Sequence, residues 1–307
     1  MVFIEHLRER IPFLNVSTDI QEIHKGFSKD KKYIVHFEHR ESCIIRTADI
    51  EQYERKKAEF ERITELQTFD VKTSDPIEIG RLDELGICYY VLSYIEGEDA
   101  RDLLPSYSSK EQYEIGLEAG RDLAKIHLIQ ASSLYDPWYD RIMKKYTSYV
   151  EAYHSCGIKI DGDSIIIDFI AKNERYLKNR RNCFQHDDFH VGNIIVKDKQ
   201  YAGVIDFNRF GWGDPIHDFL KIGLFSKEVS IPFSIGQIIG YFDNNIPEEF
   251  WSLYSIYLGM NVFSSVVWTK KVVPEKLDEM IERLYCILED HKYFENIKPS
   301  WYKEATY

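Results

Sequence analysis

The chain has 307 residues, with 39 Lys and Arg against 51 Asp and Glu for a net charge of −12, and 44% of it is hydrophobic. Two domains suit that length, the apolar content excludes wholesale disorder, and the acidic balance speaks against a non-specific nucleic-acid binder, which needs a basic footprint. Five cysteines (Cys43, Cys88, Cys156, Cys183, Cys286) without a C-x-x-C pair form neither a disulfide framework nor a zinc ribbon. Buried reduced thiols are therefore expected. The first fourteen residues mix charge with apolar side chains and lack a signal-peptide core, and no apolar run approaches a membrane span. These features predict a soluble cytoplasmic protein that binds neither membrane nor nucleic acid.

The first ninety-odd residues read as strands around one helix. Between Ile20 and Thr47 lie three extended pieces, IQEIH, KKYIVHF and SCIIRT. The first two are separated by the turn-rich Lys25-Gly26-Phe27-Ser28-Lys29-Asp30. The run Lys29-Asp30-Lys31-Lys32 is expected to be a solvated turn. IEQYERKKAEFERITEL places Tyr53, Phe60 and Ile63 near one stripe and predicts an amphipathic helix. Two further strands follow, PIEIGRL and GICYYVLSYI. The texture changes at Glu96-Gly97-Glu98-Asp99, and from about Ser108 the chain is mostly helical. The aromatic-rich FWSLYSIYLGMNVFSSVVW fits a core helix. One interruption, FQHDDFHVGNIIVKDKQYAGVIDF, reads as a loop and a hairpin. Strands and helices segregated in this way predict an α+β protein. The expected domains are residues 1–95, a five-stranded sheet with one helix, and residues 96–307, a helical lobe carrying the hairpin.

That hairpin carries the chemistry. If Lys197 to Gln200 form a four-residue turn, Asn193 faces Val204, and Asp206 shares a sheet face with Asn193 on the diagonal. Diagonal neighbours lie ~7–8 Å apart, so an amide oxygen and a carboxylate are expected to converge on a hard cation such as Mg²⁺. Asp188 sits in the loop leading to the same strand end, within reach of a substrate hydroxyl. Phosphoryl transfer asks for this set: a carboxylate for the attacking hydroxyl and a metal for the phosphates. The string matches H-x-D-x-x-x-x-N followed by D-F. His186-x-Asp188-x-His190 lacks the further ligands of a metal-dependent hydrolase, Gly211-x-Gly213 lacks the third glycine of a dinucleotide fingerprint, and no P-loop is present.

The three blocks FQHDDFHVGNIIV, VIDF and Gly213-Asp214-Pro215-Ile216-His217-Asp218 resemble those of the aminoglycoside phosphotransferase family, a kinase-like group acting on small molecules. The resemblance implies a two-lobed protein-kinase-like fold, with a β-rich N-terminal lobe, a mostly helical C-terminal lobe, and ATP or GTP bound in the cleft between them. It implies Asp188 as the catalytic aspartate, Asn193 and Asp206 as ligands of Mg²⁺, and His186, Asp214 and Asp218 as members or braces of the catalytic loop. Ser28 would cover the nucleotide phosphates, Arg46 would contact them and pair with Glu59, and the backbone of Ser93-Tyr94-Ile95 would bind the base. Asp187 stands at a usual glycine position, Asn208 where protein kinases have the glycine of D-F-G, and Arg46 where a lysine is usual. The implied acceptor is a small molecule, foremost a polycationic aminoglycoside; macrolide, choline and homoserine kinases share the same blocks, and an idle nucleotide-binding scaffold is a competing reading. Glu98, Asp99, Asp161, Asp163 and Asp243 are candidate acceptor-side carboxylates. Oligomeric state stays open.

Overall fold

The computed structural model describes residues 2–24 and 30–303, the side chains of Val2, Phe3 and Glu5 apart. Ser28 and its neighbours Gly26, Phe27 and Lys29 therefore lie outside the described residues. The chain divides into two compact units: residues 1–97 with 202–208, and residues 98–201 with 209–307. The short segment that carries Asp206 groups with the first unit.

In the first unit, helix α1 (Val2–Arg10) precedes strands β1 (Ser17–Ile23), β2 (Lys31–Phe37) and β3 (Cys43–Asp49); helix α2 (Tyr53–Gln67) then leads to β4 (Pro76–Leu82) and β5 (Ile87–Ser93). The five strands form one sheet in the order β1-β2-β3-β5-β4, antiparallel throughout. Period-2 alternation gives the sheet two different faces. Tyr33, Val35, Cys43, Ile45, Tyr89 and Val91 join Leu7, Ile11 and Leu14 in an apolar core. The opposite face carries a cross-strand row in which Lys32 pairs with Arg46 and Arg46 with Tyr90. Onto that charged row α2 brings Lys56 and Glu59, both buried, above an apolar stripe of Ile63 and Leu66.

Helix α1 corrects the expectation of a single helix. Its nine residues alternate charge and apolarity too closely to show a clear stripe, yet Leu7 and the following Ile11 are buried. The expected solvated turn is also corrected. Asp30 and Lys32 are engaged in ion pairs inside this unit.

In the second unit the two-residue strand β6 (Glu98–Asp99) pairs with β8 (Ile194–Lys197), and β7 (Cys183–Gln185) pairs with β10 (Gly211–Gly213). Strand β9 (Gln200–Val204) follows β8, and its residues from Ala202 onward group with the first unit. Asp198 and Lys199 both take left-handed φ, +50° and +61°. That is the signature of a two-residue type I′ hairpin turn. The turn is thus shorter than the four residues expected, because Lys197 and Gln200 extend the strands.

The helices of this unit include α3 (Ala100–Leu103), α4 (Ser109–Ile126), α5 (Trp138–Ser155), α6 (Asp163–Asn173), α7 (Lys227–Val229), α8 (Ile231–Phe242), α9 (Glu249–Val272) and α10 (Leu277–Asp290). Ser108 and Glu111 close α4 with a reciprocal capping box. Helices α4 and α8 approach so closely that a Cβ on Gly116, Gly120, Gly236 or Gly240 would strike the backbone of the facing helix. Helix α9 is long and apolar enough to cross a membrane, contrary to expectation, but 72% of its most apolar window is buried within the protein. An all-round apolar helix of this kind forms a core. Of the five thiols, Cys43, Cys88 and Cys183 are buried, Cys156 is half-buried and Cys286 is exposed, so burial holds for three.

Candidate active site

In the first unit, Arg46 on β3 is 5% exposed. Its Nη1 donates to Asp206 Oδ1 at 2.9 Å and lies 3.8 Å from Glu59 Oε1, while Nη2 donates to Asp30 Oδ2 at 3.3 Å. Glu59 also accepts from the Tyr90 hydroxyl at 2.8 Å. The pairing of Arg46 with the helix glutamate is thus present at salt-bridge distance. A planar guanidinium suits this role because it presents donors to three acids at once.

Two lysines without a motif complete the cluster. Lys32 Nζ donates to Asp206 Oδ2 at 3.2 Å. Lys56 Nζ donates to Asp30 Oδ2 at 2.5 Å, Asn208 Oδ1 at 2.8 Å and Glu59 Oε2 at 3.5 Å. The i,i+3 spacing of Lys56 and Glu59 on α2 is the sequence signal that finds this residue. Asn208 therefore does more than replace a glycine, since its side chain and its carbonyl are held by Lys56 and by Arg55 at 3.0 Å. Asp206 takes a left-handed φ of +68°. Burial alone would raise its carboxyl, but Arg46 first and then Lys32 outweigh burial and hold it well below the usual carboxylate range.

Ser93 makes the last pairing of β5, with Cys43, and Tyr94 and Ile95 follow it. The Ser93 N–H donates to the Asp75 carbonyl at 2.8 Å and its Oγ accepts from Asp75 N at 2.7 Å. Tyr94 N donates to the Ser42 carbonyl at 3.0 Å. Among the described residues the Ile95 backbone makes no such bond, so it alone of the three keeps both polar groups open.

In the second unit, residues 186–193 leave β7 as a loop braced from beneath. Asp218, fully buried, accepts from His186 N at 2.9 Å and Asp187 N at 2.7 Å, and its Oδ2 lies 3.0 Å from His127 Nε2. Asp187 has φ +58°, which explains why glycine is the easy residue there; its carboxylate lies 3.3 Å from His217 Nδ1. Burial would raise the Asp187 carboxyl, but hydrogen bonding and charge from His217, then Lys221 and Lys145, hold it far below normal. Asp187, His217 and Asp218 bring ligand-capable atoms within 4.8 Å of one another. The Asp218 oxygens are already committed to the loop, so this trio is a brace.

Asp214 braces one step further back. Its carboxylate takes Arg180 Nε and the Tyr257 hydroxyl, each at 2.7 Å, and its carbonyl accepts from Gln185 at 2.7 Å, the residue before the loop. His186, fully buried, accepts from Asp188 N through Nδ1 at 3.2 Å and packs edge-on to Phe189. Asn193 closes a short 3-10 turn (Val191–Asn193) and so sits just before the strand, contrary to the expectation that placed it on the ribbon. Its Nδ2 donates to the Asp188 carbonyl at 2.9 Å. That contact fixes the amide and turns Oδ1, the atom a hard cation needs, the other way.

Asp188 is half-buried. Lys221 Nζ lies 2.9 Å from its Oδ1, His190 Nε2 3.6 Å from the same oxygen, and Arg209 Nε 3.8 Å from Oδ2. Burial pushes its carboxyl up, Lys221 foremost pulls it down, and the net effect is a carboxyl below its ordinary value. His190 is pushed down to about 3 by burial, against the pull of Asp188, and is neutral. The neighbourhood of the Asp188 carboxylate is thus cationic, although the chain as a whole is acidic.

The candidate acceptor-side acids are spread through the second unit. Asp163 accepts from the Tyr153 hydroxyl and from Ser164 N, Asp161 N donates to the Tyr285 hydroxyl oxygen, and Asp243 ends α8 with a left-handed φ. Glu98 and Asp99 form β6.

A family model described as "Phosphotransferase enzyme family" matches residues 19–250. No curated protein matches the chain. Similar solved structures include a streptomycin–ATP ternary complex of APH(2″)-IIa (20% identity, TM-score 0.63, covering 92% of this chain and 97% of that one). Another is the ADP-bound aminoglycoside phosphotransferase APH(2″)-Ib (17% identity, TM-score 0.65, 92% and 97%). A third is the GDP complex of an aminoglycoside 2′-phosphotransferase IIIa variant (12% identity, TM-score 0.66, 96% and 99%). At these identities the likeness is one of fold: α+β, two-lobed and protein-kinase-like.

Proposed function

The chain belongs to the phosphotransferase enzyme family, and on that premise we propose that it transfers the γ-phosphoryl group of ATP or GTP to a hydroxyl of a small molecule, with Mg²⁺ required. The observation that carries this reading is Asp188: an ionised, half-buried carboxylate on a loop pinned by Asp218 and His186. Such a group accepts the hydrogen of an acceptor hydroxyl and orients its lone pair.

Arg46, supported by Glu59, steadies the nucleotide phosphates, and Ser28 covers them. The backbone at Ser93 and Ile95, chiefly Ile95, takes the base. His186, Asp214 and Asp218 hold the loop in place.

Asn193 and Asp206 are the proposed Mg²⁺ ligands. The donor set fits a hard cation: the Asn193 Oδ1 is turned away from its tethered nitrogen, and Asp206 is kept ionised by Arg46 and Lys32. A bound Mg²⁺ would neutralise charge on the phosphates. The remaining work of this chain is positioning and charge complementarity.

For the acceptor, an aminoglycoside is the first proposal, supported by the net charge of −12 and by the streptomycin bound in one of the similar structures. A metabolite or drug with less positive charge, of the macrolide, choline or homoserine type, is the second. Lys221 and Arg209 beside Asp188 favour it, because they disfavour a polycation at the reacting hydroxyl.

Nucleotide consumption over an acceptor panel, with ATP and GTP and with and without Mg²⁺, tests the function. Asp188→Asn should lower turnover by ~10²–10⁴, the usual contribution of a positioned acid–base group, with nucleotide binding retained. Full activity in that variant defeats the mechanism. Nucleotide–Mg²⁺ stabilisation without turnover on any acceptor would mark the scaffold instead.

A further inference from the structure

The geometry points to Lys221 as a positioning residue for phosphoryl transfer: it tethers Oδ1 of Asp188 so that Oδ2 is the oxygen that meets the acceptor hydroxyl. This inference rests on the reading of Asp188 given above, and nothing in the three catalytic sequence blocks assigns a role to Lys221.

The main chain of Asp188 is fixed at both ends. Its N–H is held by His186 Nδ1 and its carbonyl by the Asn193 amide. What remains free is rotation of the carboxylate, which exchanges the two oxygens. A base must present one oxygen at one angle, because a misplacement of about 1 Å at a reacting centre costs roughly 10²-fold in rate.

The two oxygens are dressed differently. Lys221 Nζ reaches Oδ1 at 2.9 Å, with His190 behind it at 3.6 Å. Oδ2 meets only Arg209 Nε among the described residues, at 3.8 Å, beyond hydrogen-bond range. Arg209 is half-exposed and lies over the Trp268 ring, so it does not close off that side. A short charge-assisted contact on one oxygen and none on the other sets the orientation.

Lys221 is itself held. Its side chain is 10% exposed and its Nζ lies 5.7 Å from the centre of the Phe225 ring. Phe225 is packed against the His190 ring at 4.9 Å and under Arg283, which is anchored to Glu228 and Glu279. Lys221 immediately precedes a π-helical turn, Ile222–Ser226, a rare geometry that recurs at functional sites. The last residue of that turn accepts from Val191 N at 3.4 Å, so the turn also supports the catalytic loop.

In the reaction, the acceptor hydroxyl hydrogen passes to Asp188 Oδ2 as its oxygen bonds to phosphorus. The bond from phosphorus to the bridging oxygen breaks, and its electron pair leaves with the nucleoside diphosphate. Lys221 takes no proton and donates none; it keeps Oδ1 out of the exchange.

The test is diphosphate release from ATP–Mg²⁺ by the full chain, with gentamicin or, without it, water as the phosphoryl acceptor. Lys221→Met should lower kcat by about 10²-fold with the KM for ATP unchanged. Lys221→Arg should recover part of the loss, because a guanidinium also grips a single carboxylate oxygen. A merely structural role predicts instead a fall in thermal stability with kcat kept. If Lys221→Met fails to fold, Phe225→Leu, which loosens the ring under the lysine, should show the same kcat loss at smaller amplitude. The inference is overturned if Lys221→Met, or Phe225→Leu in its place, retains kcat while Asp188→Asn loses it. Equal activity in Asp188→Asn and the unaltered chain, or no release by the unaltered chain with either acceptor, overturns the reading of Asp188 and this inference with it.

Discussion

Asp206 in the first unit and Asp188 in the second are the same residue in opposite surroundings. Each Asp206 oxygen is met by a cation within 3.2 Å, Arg46 on one and Lys32 on the other. Asp188 has Oδ1 tied by Lys221, while among the described residues Oδ2 meets only Arg209, at 3.8 Å. The contrast separates two tasks of a carboxylate. A group that is to stay ionised under burial gains from saturation by cations, whereas a group that is to take a hydrogen must keep an oxygen in reserve. The first unit builds its version from a cross-strand row plus one helix; the second builds it from a loop whose first two backbone N–H groups, of His186 and Asp187, donate to Asp218.

The strongest way to break this comparison is Arg46→Met. It removes the cation shared by Asp206, Asp30 and Glu59 and leaves buried acids short of a partner. Loss of one member of a buried ion network costs about 3–5 kcal/mol, so denaturant unfolding followed by far-UV circular dichroism should show a loss of that size. A loss below about 1 kcal/mol, the range of an exposed pair, would mean the cluster is solvated after all.

Acid sharpens the same contrast. Asp206, with its carboxyl held low, contributes stability that is present at neutral pH and lost only below the ordinary carboxylate range, near 4. In the second unit burial pushes His291 down to about 4 and His190 to about 3. The folded chain there binds fewer protons than the unfolded chain, so stability present above about pH 6.5 is lost as pH falls through that window. All five tryptophans (Trp138, Trp212, Trp251, Trp268, Trp301) belong to the second unit. Tryptophan fluorescence should therefore report a falling unfolding midpoint between about pH 6.5 and 4.5. His291→Gln, whose contribution is on the order of 3 kcal/mol, should flatten that curve. An unaltered slope would remove His291 from the account.

The smallest expected effect is at Asn208→Gly. It deletes one of the three acceptors of Lys56 and adds backbone freedom, for a cost of about 1–2 kcal/mol. If the variant is as stable as the parent, Asn208 does not secure the segment that carries Asp206.

Much of this was legible in the residues themselves. The five strands and α2 announced themselves by period, and the three motif blocks by spacing. Asp188, Asp214 and Asp218 stand where those blocks put them, on or behind one loop. Other features were harder to read. Lys56 and Lys221 carry no motif. The first is visible only through its i,i+3 relation to Glu59, and the second only through its place three residues after Asp218, where a helical turn carries it back toward the loop. Lys32 and Asp30 looked like a polar turn because nothing local in a sequence shows which charges a fold will bury. Helix α1 was missed for a related reason: its two apolar anchors acquire meaning only from the sheet they cover.

The glycine seam between α4 and α8 reaches further than its own packing. Main chain lies against main chain at Gly116, Gly120, Gly236 and Gly240, and α4 ends at His127, the residue whose ring touches Asp218. In a chimera with a distant relative, the two helices therefore travel as one block. A replacement for either that carries even a methyl group at the seam would wedge the pair apart, and the displacement would arrive at the hydrogen bonds beneath the loop of residues 186–193.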